Sequence, residues 1–89
     1  PIGAVKSQFF VRLHVADKSG VLASIAQTFA SENVSIQTVR QAGLGEDAEL
    51  IVVTHAASED ALDACVEKLK KMDIVRQVES VIRVEGVAS

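Results

Sequence analysis

Cysteine is nearly absent from this chain: Cys65 is the one thiol in 89 residues. A single thiol excludes an internal disulfide and a cysteine-based metal cluster, and it fits a reducing compartment, so a cytoplasmic location is expected. Aromatic residues are scarce too. Phe9, Phe10 and Phe29 are the full set, with no Trp or Tyr, so the core must be built from Val, Ile, Leu and Ala. A basic surplus is lacking: nine basic side chains face twelve acidic ones, for a net charge of −3. Nucleic acid, which needs a concentrated positive surface, is therefore not an expected partner. The one basic cluster, Lys68, Lys70, Lys71 and Arg76, falls near the end of an expected helix, where cations favour the helix dipole. No apolar run approaches the ~18–20 residues of a membrane span, and no signal peptide is visible; a membrane is not an expected partner either. Proline occurs once, at position 1. A start at Pro1 and the weak patterning of residues 1–7 read as the end of a linker, which leans toward excision from a longer protein.

What is present is a well-patterned chain, 48% hydrophobic, of a length that makes one domain with one modest core. Residues 8–16 alternate, with Phe9, Val11, Leu13 and Val15 on one face and Phe10, Arg12, His14 and Ala16 on the other, which predicts a half-buried strand. Val21, Leu22, Ile25, Ala26, Phe29 and Ala30 recur at helical spacing, and Asn33 is a good left-handed terminator for that helix. A second strand is expected over 34–41, a turn at Gly43, Gly45, Glu46 and Asp47, and a β-branched third strand over 48–55. Ser58 is placed to cap a second helix, with Glu59 and Asp60 in its first turn and Leu62, Cys65, Val66, Leu69 and Met72 as its apolar stripe. A last strand is expected from Val75 or Val78 to Val84, ended by Gly86.

The order β-α-β-β-α-β predicts an α+β, ferredoxin-like βαββαβ sandwich: a four-stranded antiparallel sheet, order 4-1-3-2, with two helices on one face. The domain itself spans 8–86, with 1–7 as linker and 87–89 as a C-terminal tail. Many functions share this plan, so residues must decide. RNA recognition needs aromatics on the central strands, and the third strand has none. A copper-carrying domain needs Cys-x-x-Cys in the first loop, which instead reads Asp17-Lys18-Ser19-Gly20. A phosphate-cradling loop with a catalytic Arg is absent, and no catalytic constellation is found. His14 and His55, near the ends of adjacent central strands, are read as surface or interface histidines, because a structural zinc site wants four ligands; no metal site is expected. The open sheet face carries Phe10, Val39, Ile51, Val53 and Val81, an apolar surface that suggests a partner. The second strand, as an edge, offers another route to pairing. A two-fold homodimer through the second strand or the open face is expected.

The most informative segment is Asp17-Lys18-Ser19-Gly20-Val21-Leu22. A strand that runs through a short polar turn into a helix leaves backbone N–H groups free, and Asp17 beside them can meet a cation. That corner suits a small zwitterion. It equally suits plain helix capping by Asp17 or Ser19, and the residues alone leave both readings open.

The strand Phe10-Val11-Arg12-Leu13-His14-Val15, the turn and helix start Asp17 to Ala23, and the segment Glu32-Asn33-Val34-Ser35-Ile36 resemble those of ACT domains, small-molecule sensors attached to enzymes of amino-acid metabolism. Ser19 stands where the family often has proline, but the loop glycine is kept. The C-terminal half, Ala48 to His55 and Val81 to Gly86, is similar to the C-terminal ACT domain of bacterial homoserine dehydrogenases. The resemblance implies an amino-acid effector, L-threonine, bound between subunits: Asp17 on its ammonium, backbone around Gly20, Val21 and Leu22 on its carboxylate with Lys18 and Ser19 in the same loop, and Asn33, Val34 and Ser35 of the partner copy closing the site. It further implies catalytic domains upstream that use NAD(P), feedback control of threonine and methionine biosynthesis, and no cofactor or catalysis in this chain. The alternative is a ligand-free module that holds subunits together.

Overall fold

The computed structural model describes residues 6–84. In chain order the elements are β1 (Lys6–Ala16), α1 (Val21–Ser31), β2 (Ile36–Leu44), β3 (Asp47–Thr54), a two-residue β4 (Ala57–Ser58), α2 (Glu59–Lys70) and β5 (Val75–Val84). β1 pairs antiparallel with both β3 and β5, and β3 pairs antiparallel with β2. The long strands thus lie in the order β5-β1-β3-β2, the expected ferredoxin-like arrangement, with β4 added at the start of β1. β1 begins at Lys6, within the stretch expected to be linker; residues 1–5 and the tail at 87–89, with Gly86, lie outside the described residues.

The sheet has one buried and one open face because its side chains alternate. Phe9, Val11, Leu13 and Val15 of β1 and Ala48, Leu50 and Val52 of β3 are all buried under the helices. The helices answer with Val21, Ile25 and Phe29 from α1 and Leu62, Cys65 and Leu69 from α2. Thr54 is the one buried polar residue among them, and its Oγ1 accepts the Phe9 N–H at 3.1 Å. It supplies a side-chain partner where the β1–β3 ladder ends, so no polar atom is stranded.

The open face departs from expectation at two positions. Val39 sits opposite Val52, and Val81 opposite Val11. Directly paired residues share a face, so both belong to the helix side. Two bulges, between Arg12 and Leu13 and between His14 and Val15, break the alternation of β5 against β1. Ile82, opposite Phe10, takes the open-face place expected of Val81. β2 also starts two residues late, at Ile36, because Val34 is drawn into the core by the end of α1. It runs on through Gly43, expected in the turn, to a tight hairpin in which Gly45 takes φ +68. A glycine at positive φ is what a two-residue hairpin that follows the strand twist requires.

Candidate functional site

β1 delivers the chain to one end of α1 through the loop at 17–20. The loop's entry is fixed by Ala16, whose N–H donates to the Ile74 carbonyl at 2.8 Å. Its exit is Gly20, in the left-handed region at φ 81, ψ −5, as the residue that caps α1. No side chain caps this helix. The capping reading of Asp17 and Ser19 is therefore not what the fold uses: a glycine turn replaces it. A Cβ at Gly20 would meet nothing within 4 Å, so glycine is demanded by its φ and not by crowding.

The consequence is an open donor set. The Val21 N–H reaches back to the Lys18 carbonyl at 3.3 Å, and the Ser24 N–H bonds the Gly20 carbonyl at 2.9 Å. Between them, the N–H groups of Leu22 and Ala23 take no partner among the described residues. Of the expected set around Gly20, Val21 and Leu22, the turn consumes the Val21 donor, while that of Leu22 stays open and Ala23 adds another. Asp17, Lys18 and Ser19 are all exposed, and none forms an ion pair among the described residues. Asp17, Lys18, Leu22 and Ala23 rim a cleft of about 430 Å³, whose floor is apolar: Val15, Val21, Ala26 and Leu50; Ser19, alone of the expected loop residues, does not line it. Val21 is buried and contributes wall, not a polar contact.

Asn33, Val34 and Ser35 stand at the other end of α1. Asn33 has φ 60 and ends the helix as expected. Its N–H donates to Ala30 and that of Val34 to Phe29, at 2.9 and 3.0 Å, the paired bonds of a Schellman turn. These three residues, with Ala30 and Ile36, line a second cleft of about 490 Å³. Ala26 belongs to both clefts, so within one chain the two halves of the expected site lie side by side along α1 and do not face each other. The Val34 side chain is in the core, and the Ser35 carbonyl accepts the His55 N–H at 2.8 Å; the exposed side chains here are those of Asn33 and Ser35.

Among the lining residues outside the expected set, one has a polar side chain. Gln41 of β2 reaches the first cleft from opposite Leu50. Its helix-side place follows from β2 register, which the weak alternation of 34–41 does not fix in the sequence.

The remaining candidates resolve simply. His14 pairs with Asp47 at 2.8 Å, beside an Arg12–Glu49 pair at 3.1 Å. His55 follows the far end of β3, so the two imidazoles lie at opposite ends of the sheet, about 20 Å apart at strand rise. Among the described residues no group of side chains is arranged to hold a metal ion. Cys65 is buried, and loss of solvation, with the nearby Glu32 charge adding to it, pushes its thiol up to about 12. Lys68 pairs with Glu32, Lys70 with Glu67 and Arg76 with Asp47, so three of the four clustered cations have acidic neighbours. No described helix is long and apolar enough to cross a membrane.

The model of the ACT domain matches residues 9–73. The chain belongs to the ACT-domain family. This ACT domain is 42% identical over 93 residues to homoserine dehydrogenase of Mycobacterium leprae, covering 98% of the chain and 21% of that protein. It is 41% identical over 83 residues to homoserine dehydrogenase of Corynebacterium glutamicum, covering 93% and 19%. A crystal structure of homoserine dehydrogenase from Thiobacillus denitrificans superposes with TM-score 0.82 at 30% identity, over 96% of this chain and 19% of that one. The ACT domain of a GTP pyrophosphokinase from Chlorobium tepidum shares the fold at TM-score 0.67 and 19% identity, over 90% and 100%. The chain spans about a fifth of the length of the curated relatives it matches.

Proposed function

We propose that this ACT domain is the regulatory part of a homoserine dehydrogenase, and that it senses an end-product amino acid, L-threonine, for feedback control of aspartate-family biosynthesis. The observation that carries the reading is the corner at 17–23. Its glycine turn leaves two helix-start donors open beside an unpaired carboxylate, over an apolar cleft sized for a small molecule. The helix dipole and the Leu22 and Ala23 N–H groups suit a carboxylate, Lys18 adds positive charge at the rim, and Asp17 suits an ammonium. That is the charge pattern of a free amino acid. Ser19 shapes the turn, and Gly20 sets its sign.

The site is completed by a second copy. The exposed side of α1 carries Leu22, Ala23, Gln27 and Ala30 and no charge, and β2 beside it is an unpaired edge. A two-fold pairing of this side brings Asn33 and Ser35 of one copy toward the corner of the other, which the side-by-side clefts within one chain cannot do. Effector binding then favours one arrangement of the pair and biases NAD(P)-dependent catalytic domains in the rest of the polypeptide. Such an enzyme works in the cytoplasm, and catalysis and cofactor belong to those other domains.

Calorimetric titration with L-threonine, at a concentration where light scattering shows a dimer, tests this directly. Saturable binding of one effector per site is expected. No heat from a confirmed dimer with threonine or other aspartate-family amino acids leaves a ligand-free assembly module as the function.

A further inference from the structure

The open face of the sheet has no role in the site just described. Its middle rows carry an apolar patch: Phe10 is 39% exposed and Ile82 57%, with Ile51 and Val53 beside them, bounded toward the start of β1 by Gln8, whose side chain donates to that of Gln37. Phe10 is the exposed member of three phenylalanines, the other two being buried. A shallow cleft of about 240 Å³ runs between Phe10, Ile82 and Arg12. Toward the far end of the sheet the same face is charged and internally neutralised, by Arg12 with Glu49 and by Asp47 between His14 and Arg76. Arg40, across β3 next to Ile51, forms no ion pair among the described residues.

We propose that this face packs against the remaining polypeptide of its own enzyme, through an apolar patch seated on Phe10, Ile51, Val53 and Ile82 with an acidic group opposite Arg40. The inference rests on reading the chain as part of a homoserine dehydrogenase. Size selects the occupant. Four strands at their usual spacing, over eight residues of rise, give a face of roughly 500 Å² a side, about 1,000 Å² counted on both partners. That falls short of the roughly 1,200–2,000 Å² of stable complexes between separate chains. It lies within the ~600–1,500 Å² of contacts between domains of one chain, where tethering supplies a high effective concentration. The relatives carry some four-fifths of their length outside the matched region, so a tethered partner exists in them. Pairing of two copies through β2 and α1 leaves this face free.

The test uses the full-length enzyme with a benzophenone amino acid in place of Ile82. Photolysis is expected to cross-link position 82 to a peptide from outside residues 1–89. Cross-links only to the same domain of another copy, or none, overturn the proposal. This readout needs no effector, so it stands or falls separately from threonine sensing. The double variant Phe10→Ser, Ile82→Ser is then expected to keep basal activity and effector binding while the inhibition reached at saturating effector weakens about ten-fold or more, within the usual range of coupling between sites. Inhibition unchanged from the parent enzyme also overturns it.

Discussion

The two helices cover the same sheet and are nearly the same length, eleven residues and twelve, yet they are built on opposite terms. α2 carries its own stop and start signals. Ser58 accepts the Ala61 N–H at 3.1 Å, Glu59 and Asp60 stand in the first turn, and Lys68 and Lys70 in the last. Each favours the helix dipole or satisfies a terminal donor. α1 has no charged side chain at all, no side-chain cap, and a left-handed glycine at its head. A helix so built gains little from its own sequence and must be held by packing. Its bare N-terminus and uncharged outer side are free for other work. α2 is finished toward solvent; α1 leaves its first turn without a side-chain cap and its outer side without charge.

The sharpest way to break this comparison is in the core. Phe29→Ala on α1 is expected to cost about 3–5 kcal/mol and Leu69→Ala on α2 about 2–5 kcal/mol in urea unfolding. Both side chains are fully buried, so the helices should be equals inside. A loss below about 1 kcal/mol at Phe29 would mean α1 is not anchored as described.

The next pair separates binding from stability. Asp17→Ala should weaken effector binding by roughly 1.5–3 kcal/mol, the worth of a hydrogen bond to a charged group, and move the unfolding midpoint little, because Asp17 is exposed and unpaired. Ser58→Ala should do the reverse, costing about 1 kcal/mol of stability through its lost cap with effector affinity unchanged. If Asp17→Ala lowers stability as Ser58→Ala does, the corner at 17–20 is a cap after all.

The contrast also explains what could be read from the sequence. The start of α2 was legible to the residue, because a cap and a charged first turn are local signals, but Met72, expected on its stripe, lies beyond its end at Lys70. The β1 alternation was legible too, while the strand order followed from the β-α-β-β-α-β succession of elements. The corner at 17–22 was legible as a feature but not as a choice: Asp17 and Ser19 have capping chemistry, and only the fold shows Gly20 taking that place. Val39, Val81 and Ile82 were misassigned to faces or missed because irregularities, between Ile36 and Thr38 for Val39 and in the β1–β5 pairing for the other two, shift register by one residue, which turns every later side chain over. Gln41 was missed for the related reason that its face depends on pairing with Leu50, a partner distant in sequence.

Titration gives the smallest and cleanest contrast. α1 has no ionisable side chain, whereas α2 buries Cys65, whose thiol is pushed up to about 12 because burial strips the thiolate of water. Well below pH 9 the thiol is protonated in folded and unfolded chains alike and stability does not depend on it. Between pH 9 and 12 the unfolded chain releases the proton while the folded one keeps it, so stability falls as pH rises. By pH 9.5 the loss should reach about 1 kcal/mol, from the 1.36 kcal/mol per unit of pKa difference. Lysines titrate in the same range, so the measurement is a difference: urea midpoints of the parent and of Cys65→Ala at pH 7.5 and 9.5. Cys65→Ala should be less stable than the parent at the lower pH, through its lost packing, and the gap should narrow by that amount at the higher one. A gap that stays constant would mean the thiolate finds water or a cation in the folded chain, and that the core beneath α2 is less closed than the core beneath α1.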